Sequence, residues 1–240
     1  MKNINKFNLI KFYAFQRKSD KDLINPIASI LSLPDWYLKA KKFSSHGVRA
    51  HNEDGKSPTF KGCISFLDSM SLGYFILSPV DIIVQKNGDE VEIEIDHDFN
   101  SIFQFRPEMK GFNVPDGFYK DHIALVPQWG VSLPEGYSAL YVTPLNRFEL
   151  PFVITSGVIE NDKIFTPGAI PIFINKNFSG IIKKGTPLIQ VIPFKRENWE
   201  SEIVVLPHEE SQQKLIEDGK RFRSKTGYYM LNYWVRKIFK

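Results

Sequence analysis

From residue 73 onward, short runs rich in Val, Ile, Phe and Tyr are cut by turn phrases. These phrases are Asn87-Gly88-Asp89, Pro115-Asp116-Gly117, Pro134-Glu135-Gly136, Thr166-Pro167-Gly168 and Lys183-Lys184-Gly185. Proline removes a backbone donor and glycine supplies turn geometry, so a long helix cannot persist across such punctuation. Many short strands at this spacing predict a sandwich or barrel. The runs also carry strand periodicity. Val91, Ile93 and Ile95 alternate with Glu92, Glu94 and Asp96, the pattern of a half-exposed strand. Asn87-Gly88 before this strand is a strong hairpin signal. The strand pattern continues to about residue 205, and the chain reads as mainly β.

The flanks differ. An edge strand is expected over residues 8–15. A short helix is expected over 21–33, with Asp20 as N-cap and Pro26 limiting its length. Pro34-Asp35-Trp36-Tyr37 reads as a further helix start. Residues 44–58 are polar and read as an exposed loop. Residues 59–72 form another helix candidate, with Ile64, Leu67 and Met70 on one face. From Glu209 the period is again helical, with Leu215, Phe222, Tyr229 and Trp234 as apolar anchors and a break expected around Gly219 and Gly227. The implied organisation is an N-terminal segment (1–72) packing on a β unit (73–206), followed by a helical tail (207–240).

A chain of 240 residues can bury a substantial core. Its single cysteine, Cys63, excludes an internal disulfide and any multi-cysteine zinc site, and it reads as a core thiol. No signal peptide and no apolar run long enough to span a membrane is legible, so a cytoplasmic protein is expected. The net charge of +4 is mild. The basic residues read as a solvated face rather than a nucleic-acid footprint. In the tail, Lys and Arg interleave with aromatic residues. This pattern suits stacking on nucleic acid, but more readily a helix docked on its own sheet or on a neighbouring subunit, with Trp234 as anchor and Lys237 and Lys240 in solvent.

No P-loop, dinucleotide-binding or serine-hydrolase motif is present. His46 and His51, with Asn52, Glu53 and Asp54, match no metal-binding spacing and read as a polar loop. His97, between Asp96 and Asp98, reads as an exposed turn. His122 and His208 have no partner nearby in sequence. A metal-dependent enzyme built on these histidines is the least supported alternative.

Four phrases carry a specific likeness. Gly130-Val131-Ser132-Leu133-Pro134-Glu135-Gly136-Tyr137 is followed by Thr143-Pro144-Leu145-Asn146-Arg147. Next comes Gly157-Val158-Ile159-Glu160-Asn161-Asp162, and then Lys183-Lys184-Gly185-Thr186-Pro187-Leu188-Ile189-Gln190-Val191. Their content and order resemble the trimeric dUTPase and dCTP deaminase superfamily over roughly residues 73–194. The whole chain also resembles an uncharacterised family found in tailed phages and bacteria, which would put it in the host cytoplasm if phage-encoded.

The superfamily resemblance implies a dUTPase-like β-barrel or jelly-roll with helices at both ends, assembled as a homotrimer. It places Glu160 at the position of the family's water-orienting aspartate, with Asp162 beside it, as the catalytic candidates. The two could equally be turn residues of a hairpin. Phe165 falls near the sugar-packing tyrosine, Asn146 and Arg147 fall in the phosphate turn, and Gln190 lies on the late strand, so these four are the ligand-binding candidates. Mg²⁺ is the implied cofactor, with no protein metal ligand assigned.

Three departures matter. The family's phosphate turn is Pro-Arg-Ser-Gly-Leu, and here its serine and glycine are missing, as is the glycine-rich C-terminal arm. Close backbone approach to a phosphate favours glycine. The extra methylene of Glu160 would move an attacking water by about 1 Å, a displacement that costs roughly 100-fold in rate. The expected function is therefore binding of a nucleotide or small anion without dUTPase turnover. The alternative is a non-catalytic structural or interaction module.

Overall fold

The computed structural model describes residues 7–15, 23–44, 56–88, 90–166 and 168–240. Fourteen strands and four α-helices follow one another along them. The strands are β1 (Lys11–Ala14), β2 (Ile27–Ala28), β3 (Tyr74–Leu77), β4 (Ile82–Asn87), β5 (Glu90–Ile95), β6 (Phe103–Arg106), β7 (His122–Leu125), β8 (Trp129–Ser132), β9 (Tyr137–Val142), β10 (Phe152–Ile154), β11 (Gly157–Ile159), β12 (Ile170–Ile174), β13 (Gly180–Ile182) and β14 (Pro187–Lys195). The helices are α1 (Asp35–Lys39), α2 (Ile64–Ser71), α3 (His208–Ser224) and α4 (Tyr228–Asn232).

Among the described residues the strands form four antiparallel sheets. Their orders are β11-β9-β14-β3-β2, β10-β12-β7-β6, β13-β4-β5 and β1-β8. The mainly β expectation holds, but none of these sheets closes into a barrel. One apolar cluster joins the sheets, with Ile76, Ile82, Ile123, Val131, Tyr141 and Ile189 among its members. β14 is the central strand of the largest sheet, flanked by β9 and β3. Its first five residues are all buried. Both of its faces are therefore covered, which is why it reads as a continuous apolar run rather than an alternating one.

The hairpin is where the Asn-Gly signal puts it. β4 and β5 pair from Ile82↔Ile95 to Asn87↔Glu90. Val91 on β5 is buried while its glutamate neighbours are exposed. The N-terminal strand is shorter than residues 8–15 but lies against β8, Lys11 opposite Ser132.

The expected helix over 21–33 does not form over its described part. Ile27–Ala28 instead pairs with Tyr74 and Phe75 of β3, and a 3-10 turn follows at Ser29–Ser32. Edge pairing with β3 outweighs the helical pattern there; Asp20 lies outside the described residues. The helix at Pro34 begins as expected. The candidate at 59–72 is divided into a 3-10 turn, Phe60–Gly62, and α2. Cys63 sits at this junction and is exposed, correcting its reading as a core thiol. Of the polar loop, only residues 44 and 56–58 are described.

Gly73 links α2 to β3 at φ +66°, and a Cβ there would lie 2.0 Å from the Val191 carbonyl oxygen. Only glycine lets the helix turn so tightly onto the sheet.

The strands end at Lys195, ten residues short of expectation. Residues 196–207 run without regular structure, with Trp199, Ile203 and Val205 each more than four-fifths exposed. α3 then runs unbroken through Gly219 and buries none of its side chains. The break falls at Gly227. The chain then returns to the sheet: Trp234 Nε1 donates to Asp68 Oδ2 at 2.9 Å, and Phe239 packs edge-on to Tyr74 at 5.8 Å. Trp234 anchors the tail as expected, but from irregular chain beyond α4 and not from the expected helix. Lys237, expected in solvent, forms an ion pair with the same Asp68 carboxylate. Among the described residues no helix is long and apolar enough to cross a membrane.

Candidate functional site

The candidate residues fall into two separate hydrogen-bonded groups. The first surrounds the turn after β9. Asn146 is the only non-glycine described residue with positive φ, at 57°. Asparagine tolerates this left-handed conformation better than most residues. Its side chain is held by α2, Nδ2 donating to Ser69 Oγ at 2.7 Å.

Arg147 beside it points inward. Its Nε pairs with Glu149 and its Nη1 donates to the Ser32 carbonyl at 2.8 Å. Only 10% of its side chain is exposed. Glu149 also accepts Trp36 Nε1 at 2.7 Å, so one arginine–glutamate pair ties α1 and the Ser29–Ser32 turn to the sheet.

Gln190 is fully buried. Its Oε1 accepts the Leu145 N–H at 2.8 Å, and its Nε2 donates to the carbonyls of Ser69 and Leu72 at 3.0 and 2.7 Å. A polar side chain at a core strand position thus satisfies three backbone groups where α2 ends and the turn passes, groups that would otherwise be costly to bury.

The second group centres on the turn after β11, which is not the expected hairpin because β11 and the next strand, β12, lie in different sheets. Asp162 accepts the Gly136 N–H at 2.9 Å and holds Arg196 through both carboxylate oxygens, one of them 2.8 Å from Nη1. The Arg196 guanidinium, helped by the Gly136 amide, keeps the Asp162 carboxyl well below the usual carboxylate range. Arg196 also donates to the Tyr137 carbonyl at 2.9 Å and to Ser138 Oγ at 3.0 Å.

Asn161 is buried. Its Nδ2 donates to the carbonyls of Val131 and Ile164, and its Oδ1 accepts the Tyr141 hydroxyl at 3.2 Å. Burial raises the Tyr141 pKa, so the phenol stays protonated as the donor. Phe165 covers Gly130, where a Cβ would lie 2.7 Å from its ring, and it contacts Tyr13 and Phe15 at 6.0 Å each. Glu160 is exposed. Its carboxylate makes no hydrogen bond among the described residues and lies in the field of Arg196.

The structure therefore joins Asn146 with Gln190 through Ser69, and Asp162 with the Gly136 turn. It gives Arg147 and Asp162 different partners. The sequence reading missed Arg196, Asn161 and Ser69 as members of these networks. An arginine just past a strand end carries no local signal for the aspartate it meets across the fold.

Three cavities stand apart from the candidate residues. One of about 580 Å³ is walled by residues 7–10 and 236–240. A groove of about 630 Å³ follows Phe194, Lys195, Arg196, Glu197, Asn198 and Trp199. A smaller one of about 280 Å³ lies among β5, β6 and β7. None of the three is lined by Asn146, Arg147, Glu160, Asp162, Phe165 or Gln190.

Of the histidines, His46 and His51 lie outside the described residues. His97 is 88% exposed and contacts Asp96 and Asp98, whose carboxylates lie with it in a wholly exposed turn. His122 is buried. Its burial lowers its pKa, and Arg106, opposite it on β6, lowers it further. No family model matches the chain, and no curated protein shows significant similarity to it.

Proposed function

We propose that this protein is a non-catalytic structural or interaction module that assembles with copies of itself. One observation carries the reading. Among the residues a dUTPase-like site would use, Arg147 and Asp162 are spent on internal ion pairs and Gln190 on backbone groups. A buried ion pair resists being broken because the group left behind would be an uncompensated charge. Freeing Arg147 for a phosphate would take Glu149's partner away and orphan the Ser32 carbonyl.

The phrase order over residues 73–194 supports a dUTPase-like jelly-roll as the underlying frame, and a homotrimer by the same likeness. The exposed apolar side chains of residues 199–206 and α3 supply a surface for self-association. The charges of α3 are balanced, Glu209, Glu210, Glu217 and Asp218 against Lys214, Lys220, Arg221 and Arg223. This balance favours a copy of the chain over nucleic acid or an anionic membrane. Closed symmetric homo-oligomers are the commonest assemblies. A cytoplasmic location belongs to this reading.

A nucleotide- or small-anion-binding role is the second reading. It is favoured by Glu160, the one candidate carboxylate that no hydrogen bond commits, and Mg²⁺ would be its cofactor. The test is incubation of the purified protein with dUTP, dCTP and the common nucleoside triphosphates plus Mg²⁺, alongside light scattering. The module reading expects no phosphate release and an oligomeric mass. Turnover lost in Glu160→Gln, or a monomeric mass, overturns it.

A further inference from the structure

The cavity between the two ends of the chain has the properties of a small-molecule site. Its volume, about 580 Å³, falls within the usual range for ligand pockets. Four aromatic rings line it, those of Phe7, Tyr74, Tyr137 and Phe239. Every charged side chain in its lining is basic, Arg236, Lys237 and Lys240, with no Asp or Glu among them.

We propose that this cavity binds a small molecule with a flat aromatic body and a single carboxylate or phosphate group. Two of the lining rings already meet edge-on, Phe239 to Tyr74 at 5.8 Å, and Phe12, outside the lining, backs Tyr74 in the same way at 5.3 Å, so this wall is preorganised to accept another ring. The three cations are not equivalent. Lys237 is engaged by Asp68, and the Lys240 ammonium lies 4.5 Å above the Phe7 ring. Arg236 is exposed and pairs with no acid among the described residues, so its planar fork is the anchor for the anion. Tyr137 adds a directional donor. Its hydroxyl oxygen accepts Asn8 Nδ2 at 2.8 Å, which leaves its own proton for a ligand oxygen. The site is independent of Glu160 and Arg147, and its failure would leave the self-association reading untouched.

The experiment is calorimetric titration of the intact protein with 2-naphthoate, 1-naphthyl phosphate and the neutral 2-naphthylmethanol. At least one anion is expected to bind, with the neutral compound about tenfold weaker, the scale of one hydrogen bond to a charged group. The tighter anion identifies the natural ligand as a carboxylic acid or a phosphate ester. Arg236→Gln should reduce the anion to the affinity of the alcohol. Arg223→Gln, on α3, should leave it unchanged. Three results would each overturn the proposal: neither anion binding at millimolar concentration, the alcohol binding as tightly, or Arg236→Gln having no effect.

Discussion

Gln190 and Asp162 do at the residue scale what a reading of motifs would assign to a ligand. Gln190→Leu keeps approximate volume but orphans one amide and two carbonyls inside the protein. The expected loss is about 3 kcal/mol or more, since each unmet buried partner costs about 1–3 kcal/mol. A lower denaturation midpoint at unchanged slope would show it; an unshifted midpoint would contradict the buried network.

Asp162 makes a prediction with a sign. Its folded pKa is depressed by Arg196, so its stabilisation is present above the unfolded carboxylate value of about 3.9 and is lost as pH falls below it. The stability difference between the wild type and Asp162→Asn should therefore be full at neutral pH and shrink on acidification below pH 4. A difference that stays constant across that window would remove the ion pair from the account. Neither role was legible beforehand. The phrase containing Asp162 is local, whereas Arg196 and Gly136 reach it from distant parts of the chain.

At the scale of elements, legibility followed the range of the forces involved. The β4–β5 hairpin was readable because its turn and its alternation lie within fourteen consecutive residues. The helix start at Pro34 was readable for the same reason. The failures are at 21–33, where β3 recruits Ile27 and Ala28 as an edge strand, and at 196–205, where apolar residues suggest a strand that finds no partner among the described residues. Pairing across the fold decided both, and one sequence does not encode it locally.

α3 gives an independent test. It buries no side chain, so its stability is intrinsic rather than tertiary. Gly219→Ala should strengthen the helix by about 0.8–1.0 kcal/mol, the propensity difference between the two residues. The new methyl group would meet only the flexible tip of Arg223 at 3.1 Å. Far-UV circular dichroism should show added helix while the main unfolding midpoint stays in place. A shift of that midpoint would mean that α3 is coupled to the core.

For the whole molecule, the question is what covers the apolar side chains of residues 199–206. If copies of the chain cover them, replacing Ile203 and Val205 together by Glu should lower the mass seen in light scattering without lowering the melting temperature of the core. An unchanged mass would place the contact elsewhere.

The excursion from Arg196 to Trp234 has two fixed feet, the Asp162 carboxylate at one and the Asp68 carboxylate at the other. It is therefore a tethered handle, and the tether keeps residues 234–240 at high effective concentration over their groove. A single backbone cut anywhere in the handle would leave every one of those contacts chemically intact. It would nonetheless turn their association from an intramolecular event into a bimolecular one, and at ordinary protein concentrations so short a peptide would drift away and open the aromatic cavity it helps to wall.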